Sequence, residues 1–246
     1  MNNRIKTLLQ ATTIIVATTL ASCTNNTTSS TIFDPYEETN RKTHSFNKSL
    51  DKSLLRPASN TYVAIIPDPI VTGISNFSSN LELPLTILNG VLQLDSEGVS
   101  KNIGRFLINS TVGLLGIFDV ASSIKMYGKN TNFDQTLYTY GIREGAYTEI
   151  PAFGPNTERS TASLIMSFAI NPYGGVFKGA QKIIPPTAKV LDLMGKRHKY
   201  SDAIEGVLYK SDDSYSQSRQ IYLERMRFNF ERKLNDDVYE DPYASD

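Results

Sequence analysis

The sequence predicts an all-α protein built from many short amphipathic helices, with little or no β structure, in a single domain. Three observations predict it. Prolines and glycines interrupt the chain at short intervals, apolar residues between them recur at helical spacing, and within the connector Gly145–Asn156 only Tyr147–Ile150 is strand-like. With 246 residues, 40% of them hydrophobic and 10% aromatic, the chain is long enough to build a core.

The folded part opens at Asp34-Pro35-Tyr36-Glu37, where Asp at a cap, Pro at the first helical position and Glu beyond it resemble a capping box. Phe46, Leu50 and Leu54 then form one helical stripe, and Arg56-Pro57 is expected to end that helix. A second short helix, Ala58 to Ile66, stops at Pro67. Asp68-Pro69 restarts the pattern, with Ile70, Ile74, Phe77 and Leu81 on one face and the uncharged polar Thr72, Ser75, Asn76, Ser78 and Ser79 opposite. A new cap is expected at Leu83-Pro84, after which Leu85, Leu88 and Leu92 continue the spacing. Such a stripe suits either a packed core or a helix lying in a membrane interface.

Asp95 can cap the next helix, which carries Val99, Ile103, Phe106 and Leu107. It runs into Gly113-Leu114-Leu115-Gly116-Ile117-Phe118, apolar but broken by two glycines. Each Gly costs a helix about 1 kcal/mol relative to Ala, so a bend or loop is expected. An apolar loop is unusual, because loops normally meet water.

Lys125–Asn132 reads as a polar loop, Phe133–Tyr140 as a brief helix closed by Gly141, and Gly145–Asn156 as an extended connector. Helices follow at Thr157–Ile170, stopped by Asn171-Pro172, then from Pro185-Pro186 with Val190, Leu191 and Met194, and at Ser201–Tyr209. Asp212–Leu234 is expected to be the longest helix, with Tyr215, Tyr222, Met226 and Phe230 as its apolar edge. The acidic tail, residues 236–246, lies beyond it.

The 25 basic and 25 acidic residues balance, with no dense basic block, which argues against a nucleic-acid partner. Residues 1–22 have the layout of a secretory signal: Arg4 and Lys6, an apolar centre, then Leu20-Ala21-Ser22. The only cysteine, Cys23, follows immediately, and Leu-Ala-Ser-Cys resembles the lipoprotein box at which a diacylated cysteine becomes the new N-terminus. Cleavage would leave 23 basic against 25 acidic residues, a net charge of −2, and no free thiol. Several acyl chains on one cysteine hold a protein firmly to a bilayer. Residues 23–33 then supply a polar tether, and Thr24 beside the cysteine suits sorting to the outer membrane.

No nucleophile elbow, His-Glu-x-x-His, phosphate loop or dinucleotide fingerprint is present. His44 and His198 stand far apart and read as surface or helix-packing residues, and Asp34, Glu37 and Glu38 as helix-capping charges. No catalytic residue, metal site or cofactor is expected beyond the covalent lipid on Cys23.

An ordered set of motifs resembles the VacJ/MlaA lipoproteins over about Asp34 to Phe230. Asp34-Pro35-Tyr36-Glu37 with Asn40-Arg41 opens it, followed by Phe46-Asn47, Arg56-Pro57, Ser75-Asn76-Phe77, Asn80-Leu81 and Pro84. Arg105-Phe106, Asn109, Gly113, Gly116 and Phe118-Asp119-Val120-Ala121 match the central block. Thr136-Leu137, Tyr140-Gly141, Gly145, Tyr147, Pro151, Gly154-Pro155 and Arg159 complete the set. Glu38-Thr39 and Ala146 depart from the family's usual residues.

The resemblance implies a ring-like helical protein in the inner leaflet of the outer membrane. It would take phospholipid that has strayed into the outer leaflet and pass it through an amphipathic channel. The implied partners are a trimeric porin, a soluble periplasmic lipid carrier and an inner-membrane ATP-driven complex. Ile70, Ile74, Phe77, Leu81, Leu85 and Leu88 then become membrane-interface or channel candidates, with the Ser/Asn face as a headgroup strip. Gly113, Leu114, Leu115, Gly116 and Phe118 suggest a mobile element at the channel mouth, which Ala at both glycines should stiffen without unfolding. The alternative is an adaptor lipoprotein that binds outer-membrane proteins without moving lipid; a lipid hydrolase lacks a visible nucleophile constellation.

Overall fold

The computed structural model describes residues 32–170, 173 and 176–235. The signal peptide, Cys23, most of the tether, the stop at Asn171-Pro172 and the acidic tail lie outside the described residues. Two units divide between Phe33 and Asp34, and the second carries all the secondary structure below.

The helices are α1 (Glu37–Leu50), α2 (Arg56–Ile65), α3 (Asp68–Leu92), α4 (Ser96–Thr111), α5 (Val120–Ser123) and α6 (Phe133–Thr139). A hairpin of β1 (Tyr147–Ile150) and β2 (Gly154–Thr157) follows, then α7 (Glu158–Ala169), α8 (Ile184–Lys199), α9 (Ser201–Tyr209) and α10 (Ser214–Asn235). The fold is all-α with one small sheet, as the sequence predicts.

Several boundaries differ from expectation. The first helix does not end at Arg56-Pro57: a π-turn at Asp51–Leu55 joins α1 directly to α2. The Arg56 N–H reaches back to the Asp51 carbonyl, and this wider turn removes the interior clash that Pro57 would cause in a regular helix. Pro84 does not start a new helix either, because α3 runs unbroken through it for 25 residues and is longer than the 22-residue α10. Packing against α4 and α8 along its length holds α3 together across the missing N–H. The connector at Gly145–Asn156 is a hairpin in which Tyr147 pairs with Thr157 and Ile150 with Gly154. Asp34 is not a helix cap: α1 begins after Tyr36 without a side-chain cap, and the Asp34 carboxylate instead accepts from Asn40 at 2.9 Å and from Tyr215 and Arg219. The expected caps at Asp95 and Thr157 are present.

The elements form a closed circuit. The α1–α2 rod packs on α8, α8 on α3, α3 on α6, α6 on α7, α7 on the hairpin, and the hairpin back on α1. Helix α4 lies along α3 and α5 on α4, while α10 joins the hairpin and α9.

Each joint of the circuit holds a polar pair. Arg197 of α8 grips Asp51 of the π-turn at 2.7 and 2.9 Å. Ser75 of α3 donates to Asp192 of α8 at 2.7 Å, and Thr136 of α6 to Asn89 of α3 at 2.9 Å. Arg159 and Ser160 of α7 both bond Asp134 of α6 at 2.6 Å. Thr148 meets Thr161 at 3.2 Å, and Asn40 exchanges two bonds with the backbone of β1. Among the described residues, the large buried apolar side chains gather where α10 closes on the hairpin, with Tyr147, Tyr215, Leu223, Met226 and Phe230 buried. The expected apolar edge of α10 is thus borne out for Tyr215, Met226 and Phe230.

Candidate lipid-facing surface

Helices α2–α4 and α8 invert the usual globular pattern. The buried residues of α3 are Gly73, Ser78, Asn80, Thr86, Asn89 and Gly90, all small or polar. Those of α4 are Gly98, Asn102 and Asn109. Meanwhile Ile65, Ile70, Val91, Leu107, Val190 and Leu193 are about half exposed or more. Water rewards the opposite arrangement, since burying apolar surface contributes about 25 cal/mol per Å² and burying a polar group costs unless it is bonded. In lipid the exterior gains nothing from burial, and helices associate through small residues and hydrogen bonds. The polar joints and apolar outside therefore match a lipidic solvent. Among the described residues no helix is long and apolar enough to cross a membrane.

The turn after α4 concentrates the feature. Leu114 and Leu115 are 60% and 67% exposed and Phe118 57%, whereas Gly113 and Gly116 are buried. The turn is pinned from inside: Asn76 donates to the Ile117 carbonyl and Asn80 to the Leu115 carbonyl, each at 3.1 Å. Phe118 N–H bonds the Gly113 carbonyl at 2.9 Å. Leu114 and Leu115 both take left-handed backbone angles, which costs about 1–3 kcal/mol per non-Gly residue unless the surroundings enforce it. The Asn76 and Asn80 bonds supply that enforcement.

The glycines serve close approach as well as bending. A Cβ on Gly116 would stand 2.3 Å from Asn80 Cβ, and one on Gly113 2.3 Å from the Phe118 carbonyl oxygen. Alanine at either site must displace its neighbours, so the expected stiffening without damage to the fold is corrected: there is no room for it.

Below the turn sits a charged anchor that sequence reading did not assemble. Arg105 reaches both oxygens of Asp119 at 3.0–3.1 Å and the Met126 carbonyl at 2.6 Å. Asn109 donates to Asp119 at 2.9 Å and accepts from the Ala121 N–H at 2.9 Å. Burial pushes the Asp119 carboxyl up, but hydrogen bonds from Ser122, Asn109 and Arg105 outweigh this and hold it at about 2. The Arg105, Asn109 and Asp119 motif residues were the available signal; their convergence was not readable from spacing.

The α3 candidates fall on this surface unevenly. Ile70 and Leu88 are exposed, while Ile74, Phe77, Leu81 and Leu85 are half-buried. Opposite them, Ser75, Asn76 and Asn80 are engaged by Asp192 and the turn. That part of the expected headgroup strip is therefore structural, leaving Thr72 and Ser79 exposed. The structure brings α3 and the Gly113–Phe118 turn together. Cys23 lies outside the described residues.

A closed helical circuit with polar joints and an apolar outside defines a protein of the membrane interface rather than of bulk water. The MlaA lipoprotein family matches residues 32–229, and the chain belongs to that family. It is 26% identical over 238 residues to the intermembrane phospholipid transport system lipoprotein MlaA of Haemophilus influenzae, covering 94% of this chain and 91% of that protein. To the Escherichia coli K12 protein of the same name it is 30% identical over 206 residues, 79% of this chain and 77% of that one. An uncharacterized protein of Rickettsia typhi is 42% identical over 142 residues, which spans 57% of each chain. A solved structure described as the structural basis for maintenance of bacterial outer membrane lipid asymmetry superposes with a TM-score of 0.67 at 27% identity. That match covers 80% of this chain and 98% of the other.

Proposed function

We propose that this protein is an outer-membrane lipoprotein, anchored through acylated Cys23, that removes phospholipid from the outer leaflet and passes it through its helical ring toward the periplasm. The observation that carries the reading is the inverted burial pattern: polar joints within α2–α4 and α8, apolar side chains outside. It supports a ring seated in lipid, and two relatives named for intermembrane phospholipid transport match this chain over 94% and 79% of its length. A ring with an apolar exterior lets one leaflet reach an opening while the acyl chains outside stay undisturbed. In this reading the exposed Leu114-Leu115 turn lies at the opening, and a trimeric porin and a soluble periplasmic carrier receive the ring and its cargo. Moving a lipid between leaflets breaks no bond, so the role itself calls for no catalytic group.

The test is outer-leaflet phospholipid in cells with and without the protein, read with a label that reaches only the outer surface. Deletion should raise the signal, wild type should restore it, and Cys23→Ala should not. An unchanged signal on deletion would contradict the reading and favour an adaptor that binds outer-membrane proteins without moving lipid.

A further inference from the structure

Three residues from distant parts of the chain meet in a line at the junction of α1, β1 and α10. Ser214 Oγ lies 3.0 Å from His44 Nε2, and His44 Nδ1 lies 2.9 Å from Glu149 Oε1. The reading of His44 as a surface or helix-packing residue is thereby refined, since it is buried and bonded on both ring nitrogens. We infer that Ser214, His44 and Glu149 form a serine-nucleophile site that reacts with carboxylic acyl esters, an activity separate from lipid passage.

The order nucleophile, base, acid is complete, and each member is held for its part. Glu149 is buried; Tyr147 donates to its second oxygen at 3.2 Å and Asn47 to its first at 3.3 Å. Its backbone N–H is fixed by Asn40 at 2.9 Å. A carboxylate so held at Nδ1 keeps the ring proton there and leaves the Nε2 lone pair facing Ser214, whose hydroxyl then donates to it. The buried ring rests edge-on against Tyr215, with centroids 5.7 Å apart. Ser214 is partly buried, whereas His44 and Glu149 are buried. Lys48 Nζ donates to Ser214 Oγ at 3.5 Å, which places a positive charge beside the hydroxyl.

In the proposed reaction Ser214 Oγ bonds to the ester carbonyl carbon as its proton passes to His44 Nε2. The imidazolium returns that proton to the leaving oxygen as the carbon–oxygen bond breaks, releasing the alcohol. Water, deprotonated by His44, then cleaves the acyl-serine to give the carboxylic acid and regenerate the hydroxyl.

The experiment uses the full-length lipoprotein in detergent with a fluorophosphonate probe, from which a nucleophilic serine displaces fluoride. A p-nitrophenyl butyrate assay runs beside it. Wild type should be labelled at Ser214 and release nitrophenol; Ser214→Ala should do neither while keeping its circular dichroism and melting temperature. Glu149→Gln, which can still hydrogen-bond the ring, should slow labelling by about 100-fold or more. Absence of label in wild type, beside a labelled control hydrolase, would overturn the proposal, as would label that persists in Ser214→Ala. Neither result touches the transport reading, which the outer-leaflet assay tests without Ser214.

Discussion

Asn80 and Gly116 fit each other as a stop and a slot. The Asn80 side chain donates to Ser110 at 3.0 Å and to the Leu115 carbonyl at 3.1 Å, and it fills the space that any side chain on Gly116 would need. Gly116 has φ +95, a left-handed conformation that other residues adopt only under strain. The apolar turn is thus held on α3 by polar contacts beneath it.

Gly116→Ala should destabilise the fold by about 2–4 kcal/mol, from strain plus displacement of Asn80. Thermal melting in detergent checks it. A variant as stable as wild type would mean that the turn is not seated as described.

Asn80→Ala should cost about 1–3 kcal/mol by removing two bonds from a buried site. Amide exchange should quicken at Gly113–Phe118 while α10 stays protected. Uniform quickening would instead mean global destabilisation.

Arg197→Ala leaves the Asp51 carboxylate buried without its guanidinium, and about 3–5 kcal/mol of stability should be lost. Burial pushes the Asp51 carboxyl up, but Arg197 and Tyr209 overcome this and hold it down. Replacing both Asp51 and Arg197 with apolar residues of similar size should cost less than Arg197→Ala alone, and melting of the two variants compares them.

Much of this was legible in the sequence, and the rest was hidden for definable reasons. Punctuation and period located α4, α6, α8 and α9 closely, because caps such as Asp95 act locally. Breaks expected at Pro57 and Pro84 did not occur, because a π-turn absorbed one and tertiary packing carried α3 across the other. The α3 stripe could not be assigned to core or membrane, since both solvents select the same period; only burial showed Ile70 outside and Asn89 inside. The Arg105–Asp119 anchor and the Ser214–His44–Glu149 line escaped notice because their members are distant in sequence and meet only through folding.

Asp119 makes the turn acid-sensitive. Its folded carboxyl, held at about 2, lies below the ordinary value of 3.8. A depressed value contributes stability that is fully present above about pH 4 and is lost as pH falls toward 2. Asp119→Asn should be less stable at pH 7, by about 1–2 kcal/mol for a partly exposed group, and its melting temperature should fall less steeply between pH 4 and pH 2. Parallel profiles would remove Asp119 from the acid response.

The apolar exterior is expected to meet lipid, and the absence of any tryptophan in the chain allows a direct measurement. A single tryptophan is placed at Leu115, 67% exposed on the turn, or at Lys210, exposed after α9, in protein reconstituted into bilayers with brominated acyl chains. Strong quenching of Leu115→Trp and little of Lys210→Trp are expected. Equal, weak quenching at both positions would put the turn in water and contradict this expectation.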